Sequence, residues 1–164
     1  MTRIITRLTE MHDTISKVLF IAAGFALAVF TIVFNLEVAK RYLFGTPSTW
    51  AQDVVEIAAL ATTFLALPYV TRIEKHVQID FVTMKFGDAT KHRLRIFQCA
   101  VSAIVLFVIA WITLSATLKE YGLGIQTASS IAIPKWPLLA LMAWAFFSSA
   151  LHVLRLIFLR DQLK

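Results

Sequence analysis

The polar and apolar positions along the chain alternate between four long apolar stretches and short polar ones. Residues 18–38 are interrupted only by Asn35 and Glu37, and residues 54–73 contain Glu56 and Arg72. Residues 96–118 carry no charge, and residues 137–159 hold a single arginine, Arg155. At 1.5 Å of rise per residue each stretch reaches roughly 30–35 Å, the thickness of a bilayer's hydrocarbon core. The pattern predicts an all-α integral membrane protein, one domain over residues 1–164 with four transmembrane helices. Ahead of the first span, Ile4, Leu8, Met11 and Ile15 recur at helical spacing, with Arg3, Arg7, Glu10 and Lys17 around them. Residues 1–17 are therefore predicted to be an amphipathic segment that lies on the membrane or extends the first helix.

Composition strengthens this reading. The chain is 59% hydrophobic and only 16% charged, with thirteen Phe, and its mean hydropathy is +0.74. A basic segment ahead of an apolar one also describes a signal peptide. Here the apolar stretch is longer than an h-region, and no small-x-small cleavage site precedes Asn35, so the first span is expected to stay in the mature protein. The lone Cys99 allows no intramolecular disulfide and reads as a packing residue.

The net charge of +6 raises nucleic acid as a partner, but its distribution points elsewhere. Arg3, Arg7 and Lys17 precede the first span, and Arg72, Lys75, Lys85, Lys91, Arg93 and Arg95 surround the middle connection. Arg155, Arg160 and Lys164 lie at the C-terminal end, against Lys40, Arg41, Lys119 and Lys135 on the other side. Positive charge marks the cytoplasmic side, so both termini and the middle loop are expected there. Tyr42, Trp50, Tyr121 and Trp136 mark the opposite boundary, where amphipathic rings settle at headgroup level.

The connections carry their own signals. Glu37 and Arg41 are four residues apart and can pair on one helical face. Gly45, Pro47 and Ser48 form a turn, Ser48 or Thr49 can cap the next helix, and Gln52 and Asp53 are expected in its first turn. Pro68 predicts a kink. Gly87 and Asp88 look like a stop followed by an N-cap, after which one helix runs through the basic residues into the third span. The Gly/Ser/Thr-rich stretch before Pro137 reads as an ordered loop.

Two constellations invite chemistry. His76 and Asp80 in RIEKHVQID have i, i+4 spacing, but two ligands make a poor metal site, and an elbow between two spans at headgroup level fits the sequence better. In the fourth span, Ser148, His152 and Arg155 form one polar stripe. His152 lies about 6 Å from the span's midpoint and needs a partner. It reads as a hydrogen-bonding contact to another helix, with an axial haem ligand or a proton relay as the sharper alternatives. Neither Glu37 nor Glu56 lies mid-membrane, both being near the ends of their helices marked by Tyr42 and Trp50, and no span is broken by a Gly/Pro pair. No substrate or ion pathway is therefore evident. Abundant Ala in the first two spans suits close helix packing. These residues describe a packing element of something larger.

The stretch NLEVAKRYLFGTPSTWAQDVVEIAALATTFLALPYVTRIEKHVQID resembles the signature of the small membrane subunit (DctQ type) of tripartite ATP-independent periplasmic (TRAP) transporters. The residues that carry the resemblance are Arg41, Gly45, Pro47, Trp50, Asp53, His76, Val77, Ile79 and Asp80, together with Ile133, Pro134 and Trp136 before the fourth span. The resemblance implies a non-enzymatic subunit without cofactors of its own in a bacterial inner membrane. It implies a large membrane partner of M type that holds the substrate and sodium sites and moves as an elevator, and a periplasmic binding protein of P type that delivers an organic acid such as a dicarboxylate or sialic acid. The small subunit would brace the large one, among membrane phospholipids and without nucleic acid. Ser148, His152, Arg155, Glu37 and Glu56 are the candidate contacts between helices or with the large subunit. Two readings from other classes compete: an autonomous small four-helix exporter, which needs a mid-membrane acid, and a haem or quinone anchor subunit built on His152.

Overall fold

The computed structural model of the chain describes residues 2–73, 88–127 and 132–160. Helix α1 spans Thr2–Phe44, α2 spans Thr49–Arg72, α3 spans Asp88–Leu123 and α4 spans Trp136–Arg160. All four are long and apolar enough to cross a membrane. The N-terminal segment is thus resolved in favour of an extension: from Thr2 onward α1 continues into the first span without a break. The elbow containing His76, Val77, Ile79 and Asp80, and Gly87 with it, lies outside the described residues.

Each described connection has a local cause. α1 stops at Gly45, whose φ of 66° is a left-handed conformation that glycine adopts at little cost. Its N–H donates to the Arg41 carbonyl at 3.0 Å. Ser48 takes the N-cap position of α2 in extended conformation, but its side chain makes no capping bond. Asp53 lies past the first turn of α2 rather than in it, and is buried. α2 continues through the fully buried Pro68 to Arg72. α3 ends at Gly124, again at positive φ. In the described part of the stretch before α4, Thr127 N–H donates to the Ile133 carbonyl at 2.8 Å, and Lys135 N–H to that of Ile125 at 3.2 Å.

The helices pack as an open row in the order α1, α2, α4, α3, and no extensive packed face joins the two outer members. Ring contacts bridge every step of the row. Phe20 stacks on Tyr69 (centroids 4.6 Å apart), Phe64 meets Phe146 edge-on (5.5 Å), and Phe107 meets Phe147 edge-on (5.6 Å). The buried side chains are mostly small: Ala23, Ala51, Ala58, Ala103, Ala110, Ala143, Ala145 and Ala150. Lipid tails are as apolar as leucine, so helix association in a membrane gains from close backbone approach, which alanine permits. α4 is the most enclosed span (39% of its apolar window buried) and α1 the least (6%). The outer helices present Phe25, Ile32, Ile104 and Trp111 outward.

Candidate functional site

Hydroxyl groups within the spans are largely satisfied by their own helices. Thr31, Thr62, Thr63, Thr113, Ser115 and Thr117 each donate to the carbonyl four residues back. This is the usual solution where no water is available; Ser149 Oγ on α4 is an exception among the described span hydroxyls, buried with no hydrogen-bond partner. The interhelical polar contacts among the described residues concentrate at the two ends of the row.

At the end carrying both termini, α1, α2 and α4 meet in a polar latch. Arg155 Nη1 donates to Asp13 Oδ1 at 2.7 Å, and Arg72 Nη2 lies 3.0 Å from Asp13 Oδ2. A single carboxylate therefore holds guanidinium groups from two other helices. Beside it, the rings of His12 and His152 stack with centroids 4.2 Å apart. His12 Nε2 shares a hydrogen bond with Ser148 Oγ at 2.7 Å, and His152 Nε2 shares one with Ser16 Oγ at 3.1 Å. Ser16 also donates to the His12 carbonyl at 2.9 Å. Ser16, Ser148 and His152 are buried, so the pairs form where an unmatched polar group would be costly.

The stripe Ser148, His152 and Arg155 read from the sequence is therefore a contact to another helix, and its partner is the N-terminal segment. Sequence reasoning missed His12, Asp13 and Ser16. The i, i+4 spacing of His12 and Ser16, beside Asp13, repeats that of Ser148 and His152 and was the available signal. The apolar stripe of residues 1–17 draws attention the other way, yet Met11 and Ile15 face outward with Arg7, Glu10 and Lys17, while His12, Asp13 and Ser16 turn into the bundle.

His12, Asp13 and His152 each offer a potential ligand atom, all within 4.8 Å of one another. The surroundings are wrong for a cation. Both Asp13 oxygens already face guanidinium groups, and those fixed positive charges oppose a further one. For haem, the stacked rings leave no gap between two imidazole nitrogens in which an iron could sit.

At the opposite end, Glu37 Oε1 accepts the Ser48 N–H at 2.8 Å, and Lys40 Nζ donates to Ser48 Oγ at 2.6 Å. Glu37 therefore bonds the N-cap of α2 rather than pairing with Arg41, because the turn at Gly45 brings an unsatisfied amide within its reach. Arg41 and Pro47 are exposed here, as are Tyr42 and Trp50. Tyr121 packs edge-on against Trp136 at 5.4 Å. Glu56 is exposed on α2, contacted weakly by Gln52 at 3.4 Å.

A family model described as "Tripartite ATP-independent periplasmic transporters, DctQ component" matches residues 30–163. No curated protein and no solved structure matches the chain. The matched region includes the α2 and α4 sides of the latch and excludes its α1 side.

Proposed function

Since the chain belongs to the DctQ component family of tripartite ATP-independent periplasmic transporters, we propose that it is the scaffold subunit that braces the large, elevator-type membrane subunit. In this reading the complex takes up an organic acid, a dicarboxylate or a sialic-acid-like molecule, together with sodium ions bound in the large subunit. A periplasmic binding protein delivers the acid. Both termini and the latch lie on the cytoplasmic side of the inner membrane, where the excess of Lys and Arg falls. The chain holds no cofactor and catalyses no reaction.

The observation that carries this reading is the open row of helices. A carrier needs a polar route between elements that can move past one another. Here most hydroxyls within the described spans turn back on their own helices, while the interhelical polar contacts tie helices together at both ends. An open row leaves its helices uncovered on both sides, which suits it to lie against a larger membrane protein on one face and lipid on the other.

The test is recovery of the tagged chain from native membranes in mild detergent, with uptake measured after its deletion. A single, much larger multi-span protein is expected in stoichiometric amount, and uptake by that protein should be lost without this chain. Full-rate transport by the large subunit alone would refute the scaffold role.

A further inference from the structure

α2 lies inside the row, with α1 on one side and α4 on the other. Between Ala51 and Arg72 its exposed residues are Gln52, Glu56 and Thr63. At 100° per residue these three fall within about 40° of one another on the helix surface. Ala59 and Ala66, both half-buried, flank this arc on one side and widen the stripe to about 80°. This stripe is polar with small residues alongside, whereas α1 and α3 expose Phe25, Ile32, Ile104 and Trp111. Hydrocarbon favours the second kind of surface and disfavours a carboxylate.

Depth sharpens the contrast. Glu56 is six residues inward from Trp50, about 9 Å along the axis from a ring that sits at headgroup level. A glutamate side chain is too short to return its charge to that level. Among the described residues no cation faces Glu56, and its contact is the weak one from Gln52. A carboxylate at this depth calls for a partner.

We propose that the Gln52–Glu56–Thr63 stripe of α2 is a helix-docking face, occupied by a membrane helix of the large partner subunit that presents a lysine or arginine to the Glu56 carboxylate. The proposal rests on the scaffold reading and adds which face is covered and by what chemistry. Ala59 and Ala66 allow the incoming backbone to approach closely, and Gln52 and Thr63 offer hydrogen-bonding groups above and below the ion pair. A second copy of this chain does not fit. A two-fold contact through this face would set Glu56 against Glu56, two like charges in a medium of low dielectric.

The test uses the complex of the full chain with its large subunit, comparing wild type with Glu56→Leu. Leucine is the better residue against lipid, so the isolated variant should melt at or above the wild-type temperature. The dissociation constant of the complex should nevertheless rise at least about 30-fold, the scale for truncating one member of a buried charge pair. A photocrosslinker at Ala59 should attach to the large subunit within one helical turn of a lysine or arginine. Undiminished binding by Glu56→Leu, or adducts only with lipid or with a second copy, would overturn the docking face and leave the scaffold role intact. If the wild-type chain retains no large membrane subunit at all, the scaffold reading fails and the docking face with it.

Discussion

Arg155 and Asp13 are separated by 142 residues of chain, and their side chains meet at 2.7 Å. Asp13 also takes Arg72 at 3.0 Å, so one carboxylate joins the first, second and fourth helices. The three side chains keep part of their surface open (18% for Asp13, 29% for Arg155 and 37% for Arg72). Their pairing is therefore worth less than a fully buried one, and more than an isolated surface pair.

Removing the shared member should do the most damage. Asp13→Ala leaves two guanidinium groups facing each other and is expected to destabilise the chain by about 1–3 kcal/mol. Arg155→Ala leaves Asp13 paired with Arg72 and should cost less. Thermal unfolding of the purified chain in detergent checks this, and the double variant measures the coupling. An unchanged midpoint for Asp13→Ala would mean that the latch contributes nothing.

The histidine pair should behave as packing and hydrogen bonding. His152 is 2% exposed, so His152→Ala should lower the unfolding midpoint more than His12→Ala, because it opens a void in the more enclosed position. Added zinc should leave the wild-type midpoint where it is, since Asp13 is already held by two guanidinium groups. A zinc-dependent rise that disappears in His152→Ala would instead establish a metal site on His12, Asp13 and His152.

Two glycines should respond in opposite ways. Gly45 has a φ of 66°, and nothing lies within 4 Å of where a Cβ would stand, so any penalty for Gly45→Ala is conformational rather than steric. About 1 kcal/mol of destabilisation is expected. Gly24 sits inside α1 with equally open space. There Gly24→Ala removes backbone freedom from the unfolded state and should be neutral or stabilising. Paired melting curves settle the sign of each.

At the α1–α2 turn, Glu37→Ala should lower the midpoint more than Arg41→Ala. Glu37 accepts the Ser48 amide beside the lysine bond to the same residue, whereas the Arg41 side chain is exposed. Equal effects of the two substitutions would restore the i, i+4 pair between them.

The sequence read best where one physical rule dominates. The spans of 18–38, 54–73, 96–118 and 137–159 fall inside the helices observed except for Ile73, the C-cap of α2, because apolar length alone decides whether a helix suits a bilayer. The Gly45 turn followed the same logic of local backbone freedom. The Glu37–Arg41 pair failed because helical spacing brings two side chains near each other without weighing a third group. The Ser48 amide belongs to the next helix, and the turn delivers it. His152 was recognisable as needing a partner. His12 lies ahead of the apolar stretch 18–38, and only the continuous α1 carries it beside His152.

By itself, the order of residues in this chain determined four apolar helices, the turn at Gly45, the aromatic and basic boundaries and the resemblance carried by Arg41, Gly45, Pro47, Trp50 and Asp53. These follow from hydropathy, backbone conformation and local spacing, which act within a turn or along one helix. Only the tertiary structure decided that α1 turns His12, Asp13 and Ser16 inward, that Asp13 is shared by two arginines, and that the helices form an open row with Glu56 on its surface. Each of those depends on which helix lies beside which. A hydropathy pattern says that a helix will be buried in lipid or protein, but the choice between the two is made by the neighbours that pack against it.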